Sequence, residues 1–162
     1  MENNKELIAD FLAQKNIAVA GISLSRDTPA NMIFKKMEKA GYAVFPVNPK
    51  GGTFMEQTCF IDLGSIQPKP DGVVIVTRPE ITAELIEECI RLGIPRIWIH
   101  NMMGIVKDGK PGNISSVDTG AVQKGREAGL KVISGSCPMQ FVPPVDIFHR
   151  CVRWISDKTG KL

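Results

Sequence analysis

Apolar residues recur at helical spacing over residues 3–14, where Leu7, Ile8, Phe11 and Leu12 share a face and Asn3 or Asn4 can cap the start. The short run Ile17-Ala18-Val19-Ala20 follows and stops at Gly21, which predicts a buried strand. Polar turn material at 22–29 leads into a second amphipathic segment at 30–40. Its Ile33, Phe34, Met37 and Ala40 lie on one side, and Gly41 stands where a helix ends. The rhythm then repeats. Strands are expected at 42–47, 72–76, 95–99 and 130–133, and helices at 79–92, 116–128 and about 144–158. Pro79 opens the helix at 79–92 and Gly93 closes it. Residues 53–70 and 100–114 show no period and read as irregular.

Continuous Val/Ile runs mark strands buried on both faces, and helices between such strands make the neighbours parallel. The pattern therefore predicts an α/β fold: a doubly wound parallel five-stranded sheet flanked by helices, in one domain spanning 1–162. With strands numbered along the chain, the expected order is 3-2-1-4-5. The last helix carries Phe148, Cys151, Val152 and Ile155 on one face. That face is expected to cover the domain's own core, with a homodimer as the alternative.

Composition narrows the functional classes. The 162 residues are 43% hydrophobic and 23% charged, close to an average soluble protein, and only 6% aromatic, so the core is mostly aliphatic. No stretch approaches the roughly 18 apolar residues of a membrane span, and the polar start is unlike a secretory signal, so the chain reads as cytoplasmic. Lys and Arg number 20 against 17 Asp and Glu, spread without a dense basic stripe, which argues against nucleic acid as a partner. Cys59, Cys89, Cys137 and Cys151 form no CxxC pair, and His100 and His149 lack zinc-binding spacing, so no metal site is expected.

Open α/β sheets bind ligands beyond the carboxyl ends of their strands, where the strand order reverses. Four loops are candidates. The first offers Gly21 for a sharp turn, Ser23 and Ser25 as hydroxyl donors, and Arg26 as a fork for phosphate oxygens, with a helix N-terminus behind them. It lacks the second glycine of GxGxxG. The second, Asn48-Pro49-Lys50, stands where dinucleotide enzymes place an acid for the ribose hydroxyls; Asn with Lys suits a ribose phosphate instead. The ligand expected from these residues is coenzyme A or NADP. Thr77-Arg78-Pro79 opens a helix at the same rim. His100, at the end of the fourth strand, lacks an evident orienting partner for general-base work.

The segments IAVAGISLSRDTPANMIFKKMEKAGYAVFPVNPKG, DGVVIVTRPE, IPRIWIHNMMG and GLKVISGSCPM, in that order, resemble the CoA-binding domain family over about residues 15–140. This is a Rossmann-like domain found alone in many small bacterial proteins and related to the N-terminal domain of the succinyl-CoA synthetase alpha subunit. The resemblance implies phosphate contacts at Gly21, Ile22, Ser23, Ser25 and Arg26, with Asn31 at the start of the first crossover helix. It implies a 3′-phosphate and ribose loop at Asn48, Pro49 and Lys50, an adenine loop at Val76, Thr77, Arg78 and Pro79, and backbone contacts at Ile99, His100 and Asn101. Arg78 replaces a residue that is usually small or apolar in the family, and His100-Asn101 replaces the commoner Gln or Thr-Glu. The synthetase's phosphohistidine chemistry lies in a separate domain, so the resemblance implies binding of CoA or an acyl-CoA without turnover. An NADP-dependent oxidoreductase and a nucleotide-sensing regulatory protein are the alternatives. The ligand's thiol arm is expected to run toward Cys137. A mixed disulfide there needs an exposed thiolate; otherwise Cys137-Pro138 is a structural turn.

Overall fold

The computed structural model describes residues 4–105 and 111–158. Its elements are α1 (Asn4–Leu12), β1 (Asn16–Ala20), α2 (Pro29–Lys39), β2 (Ala43–Val47), a small hairpin of β3 (Thr53–Phe54) and β4 (Gln57–Thr58), β5 (Gly72–Ile75), α3 (Pro79–Leu92), β6 (Arg96–Ile105), β7 (Pro111–Ser115), α4 (Thr119–Glu127), β8 (Lys131–Ser136), a 3₁₀ turn (Pro138–Gln140) and α5 (Ile147–Lys158).

Five strands run parallel in the order β2-β1-β5-β6-β8. The strands alternate between two apolar layers. Ile17, Val19, Val74, Trp98 and Ile133 face α1 and α2 through Phe11, Ile33, Phe34 and Met37. Ala18, Val73, Ile75, Ile97, Ile99 and Val132 face α3 and α4 through Ile86, Cys89, Ala121 and Val122. A sheet with helices on both faces is the doubly wound architecture.

The strand order differs in one respect from expectation. The third parallel strand, β5, lies inside the sheet beside β1 instead of outside β2, so the order along the chain is 2-1-3-4-5. Pro46 supplies the reason. The Ala43 N–H donates to the Lys15 carbonyl, and the Val47 carbonyl accepts from Gly21 and Ile22. Odd positions of β2 therefore bond toward β1 and even positions face outward. Pro46 has no N–H to offer a further strand, and a proline in a strand is tolerated at an edge. Only its carbonyl is used there, accepting from the Phe60 N–H at 2.9 Å. The reversal of strand order consequently falls between β1 and β5, not between β1 and the fourth strand.

Two segments read as irregular carry structure. Residues 53–58 form the small hairpin, and Phe60 then bridges to Val47. Beyond His100, β6 continues past the parallel sheet and pairs antiparallel with β7, Asn101 opposite Ser115. The last helix also behaves differently from expectation: Phe148, Cys151 and Ile155 are exposed instead of covering the core, while Val152 is partly buried. Among the described residues, no helix is long and apolar enough to cross a membrane.

Candidate functional site

A cleft of about 810 Å³ opens at the carboxyl ends of β1 and β5, within the usual range for small-molecule sites. Its position follows from the backbone. The Val76 N–H donates to the Ala20 carbonyl at 2.9 Å, which carries the β1–β5 pairing to the very end of the strands. The chain must then turn away within one residue. Gly21 does this at φ +106°, and a β-carbon there would lie 2.1 Å from the Val76 carbonyl oxygen. Only glycine fits, for both reasons.

The loop after β1 is organised from within by Asn31. Its Oδ1 accepts from the Ser23 N–H (2.9 Å) and the Thr28 hydroxyl (2.7 Å), and its Nδ2 donates to the carbonyls of Ser23 (2.7 Å) and Arg26 (3.2 Å). The amide is buried, and its two donors and two acceptor sites are all in use. Asn31 thus shapes the loop, and its side chain is spent doing so. Asn48 ties the neighbouring loop to this one, donating from Nδ2 to the Ile22 carbonyl at 3.0 Å while Oδ1 accepts from the Lys50 N–H at 2.8 Å. Leu24 sits against Gly52, closing the same junction. Ser25, Arg26, Pro49 and Lys50 are exposed and Ser23 is half-buried; of these five, Pro49 lines the cleft and the other four do not.

Two helix N-termini meet the cleft. Thr28 and Pro29 at the start of α2, and Arg78 and Pro79 at the start of α3, all line it. Arg78 makes no side-chain cap, although the Thr77 and Thr82 hydroxyls pair at 3.0 Å just inside. Free N–H groups and the positive end of the helix dipole favour an anion at such a place.

Of the residues singled out in the sequence, Gly21, Pro49, Val76, Thr77, Arg78, Pro79 and His100 line the cleft. Ile22 and Ile99 are buried in the core beside it. His100 is 1% exposed, and neither ring nitrogen has a hydrogen-bond partner among the described residues; burial pushes its pKa down to about 4, so the ring is neutral at ordinary pH. Its carbonyl accepts from the Ser116 N–H at 2.9 Å. The neighbouring Asn101 Oδ1 is likewise buried without a partner among the described residues.

Sequence reasoning missed two parts of the wall. Ile61, Ile81 and Leu85 give it an apolar side, and Asp62, Glu84 and Glu88 give that side an acidic margin. Ile61 arrives only through the Phe60 bridge to β2, which no periodicity announces. Cys137 does not line the cleft. It is 1% exposed, and burial pushes its thiol up to about 11, so the thiolate that a mixed disulfide requires is not formed.

Residues 15–142 match the family model of the CoA binding domain. Uncharacterized protein YneT of Bacillus subtilis (strain 168) is 32% identical over 100 residues, 60% of this chain and 74% of that protein. A hypothetical protein from Pyrococcus horikoshii OT3 superposes with a TM-score of 0.72 at 25% identity, over 86% of this chain and 89% of its own. The apo form of dinucleotide forming acetyl-coenzyme A synthetase 1 from Ca. Korarchaeum cryptofilum superposes with a TM-score of 0.59 at 18% identity, over 76% of this chain and 26% of that one. This last likeness is one of fold.

Proposed function

Because the chain belongs to the CoA binding domain family, we propose that the cleft between β1 and β5 binds coenzyme A or an acyl-CoA and does not turn it over. The observation that carries this reading is the convergence of two helix N-termini on a cleft whose two sides touch, backbone against glycine, at Gly21 and Val76. The diphosphate belongs on the loop Gly21–Arg26, where the start of α2 and the Arg26 guanidinium supply positive charge. Ser23 and Ser25 add hydroxyls there. Lys50, with Asn48 and Pro49 fixing its loop, is placed for the 3′-phosphate. The adenine lies along Val76, Thr77, Arg78 and Pro79. The pantetheine arm runs past His100, which lines the cleft, toward Asn101 and the Ile99 backbone, and the neutral His100 ring suits an uncharged amide better than a phosphate.

Two features favour binding without catalysis. His100 is the titratable group buried at the cleft, and a general base needs a partner that orients its ring, which the described residues do not supply. Cys137, toward which the arm was expected to run, is buried as a thiol and does not line the cleft.

Calorimetric titration tests the proposal with three ligands: CoA, dephospho-CoA and NADPH. CoA is expected to bind most tightly and dephospho-CoA more weakly. Tight NADPH binding with weak CoA binding would replace this reading by the NADP one.

A further inference from the structure

Helix α5 packs with its polar side toward the domain and its apolar side outward. His149 is buried, with Nδ1 2.6 Å from Asp146 Oδ2. The Arg153 guanidinium lies 4.6 Å from the centre of the Phe141 ring, a cation–π contact that pins the helix to the 3₁₀ turn. At 3.6 residues per turn, Ile147, Phe148, Cys151, Trp154 and Ile155 occupy the opposite side. Ile147 is 78% exposed, Phe148 57%, Trp154 63% and Ile155 52%, and Cys151 is exposed among them. A contiguous apolar face of this kind marks a contact surface.

The order of these residues suits a second copy of the chain as the occupant. Ile147-Phe148-x-x-Cys151-x-x-Trp154-Ile155 has the same residue classes in both directions, aliphatic, aromatic, cysteine, aromatic, aliphatic, with Cys151 at the centre. A two-fold interface sets residue i against j and j against i, so in an antiparallel pair this order places like classes opposite one another. Two antiparallel copies of α5 crossing at Cys151 set Ile147 against the partner's Ile155 and Phe148 against the partner's Trp154. The four large side chains leave on the order of 500 Å² exposed per copy, given aromatic areas of about 150–250 Å² each. A two-fold contact covering them removes about 1,000 Å² in total, the lower limit of a specific interface. We propose that two copies of this chain associate through α5 as an antiparallel two-fold pair centred on Cys151. An interface of this size exchanges with monomer as concentration changes.

Sedimentation equilibrium of the full chain from micromolar to millimolar concentration, together with crosslinking by a short bismaleimide, tests the pairing. Cys59, Cys89 and Cys137 are buried, so a crosslink reports Cys151. The expected results are a monomer–dimer equilibrium and a crosslinked dimer. Trp154→Glu and, independently, Phe148→Glu raise the dissociation constant at least 100-fold and abolish the crosslink, while Cys151→Ser loses the crosslink and keeps the equilibrium. A chain that stays monomeric throughout, or a dimer that both glutamate variants leave intact, overturns the proposal. So does a monomer that sediments with phosphatidylglycerol vesicles and loses them on Trp154→Glu, which would give the face to a lipid surface instead.

Discussion

The two ends of the parallel sheet handle their polar groups in opposite ways. At the amino end, Asp71 accepts from the Asn16 N–H (2.8 Å), the Asn16 side chain (3.1 Å) and the Lys15 N–H (3.3 Å). Arg96 holds both oxygens of Asp10, and Lys131 reaches the same carboxylate at 3.3 Å. The starts of β1, β5, β6 and β8 are thereby stitched together by paired groups. At the carboxyl end, both nitrogens of His100, Asn101 Oδ1 and Ser136 Oγ are buried with no partner among the described residues. A buried polar group left unpaired costs about 1–3 kcal/mol. The same sheet thus carries one end built for stability and another that gives up stability where the proposed ligand sits.

The contrast is sharpest at Gly21. Gly21→Ala places a β-carbon against the Val76 carbonyl at a positive φ, and is expected to weaken CoA binding at least 100-fold while lowering stability by about 3 kcal/mol or more, read by calorimetry and thermal unfolding. Next in size is a pH effect. The His100 pKa is depressed from 6.5 to about 4, so the unfolded chain takes up the proton first on acidification. Stability is complete above pH 6.5 and falls by roughly 3 kcal/mol as pH drops from 6.5 to 4, and His100→Leu is expected to flatten that slope in chemical denaturation.

The amino end responds in a lower window. Hydrogen bonds from the Asn16 backbone to Asp71, and from the Arg96 side chain to Asp10, hold both carboxyls below their ordinary 3.8. Their contribution is complete above that value and is lost only as pH falls below it. Asp71→Ala is expected to cost about 2 kcal/mol of stability and leave CoA affinity unchanged within twofold; a larger affinity change would break the division of labour between the two ends. The smallest effect belongs to the exposed rim. Lys50→Ala is expected to weaken CoA by about 1 kcal/mol and dephospho-CoA hardly at all, with thermal stability untouched. Equal weakening of both ligands would remove Lys50 from the 3′-phosphate.

The five parallel strands and the helices between them were legible because each is a local event: an apolar run of four to six residues, a period of 3.6, a proline at the start or a glycine at the end. Gly93 closing α3 in the left-handed conformation is of this kind. The strand order was not read correctly, although Pro46 carried the signal, because its meaning depends on which edge of β2 its nitrogen faces. Gly21, Pro49 and 77–79, which line the cleft, were singled out from glycine, proline and charge at strand ends, and Val76 from the family resemblance. The burial of His100 was not legible, since it depends on chain that is distant in sequence, with Ser136 of β8 beside it and Ser116 bonded to its carbonyl. The outward face of α5 escaped for the opposite reason: its amphipathic pattern is plain, but the pattern does not say which side meets the domain.

The rim of β2 has a further consequence. Pro46 withholds a donor there, and Phe60 takes up the two outward groups that flank Val47, donating to the Pro46 carbonyl and accepting from the Asn48 N–H. An extended segment from another molecule therefore finds the carboxyl half of this edge without a ladder to extend, which hinders the strand-by-strand growth that seeds aggregates.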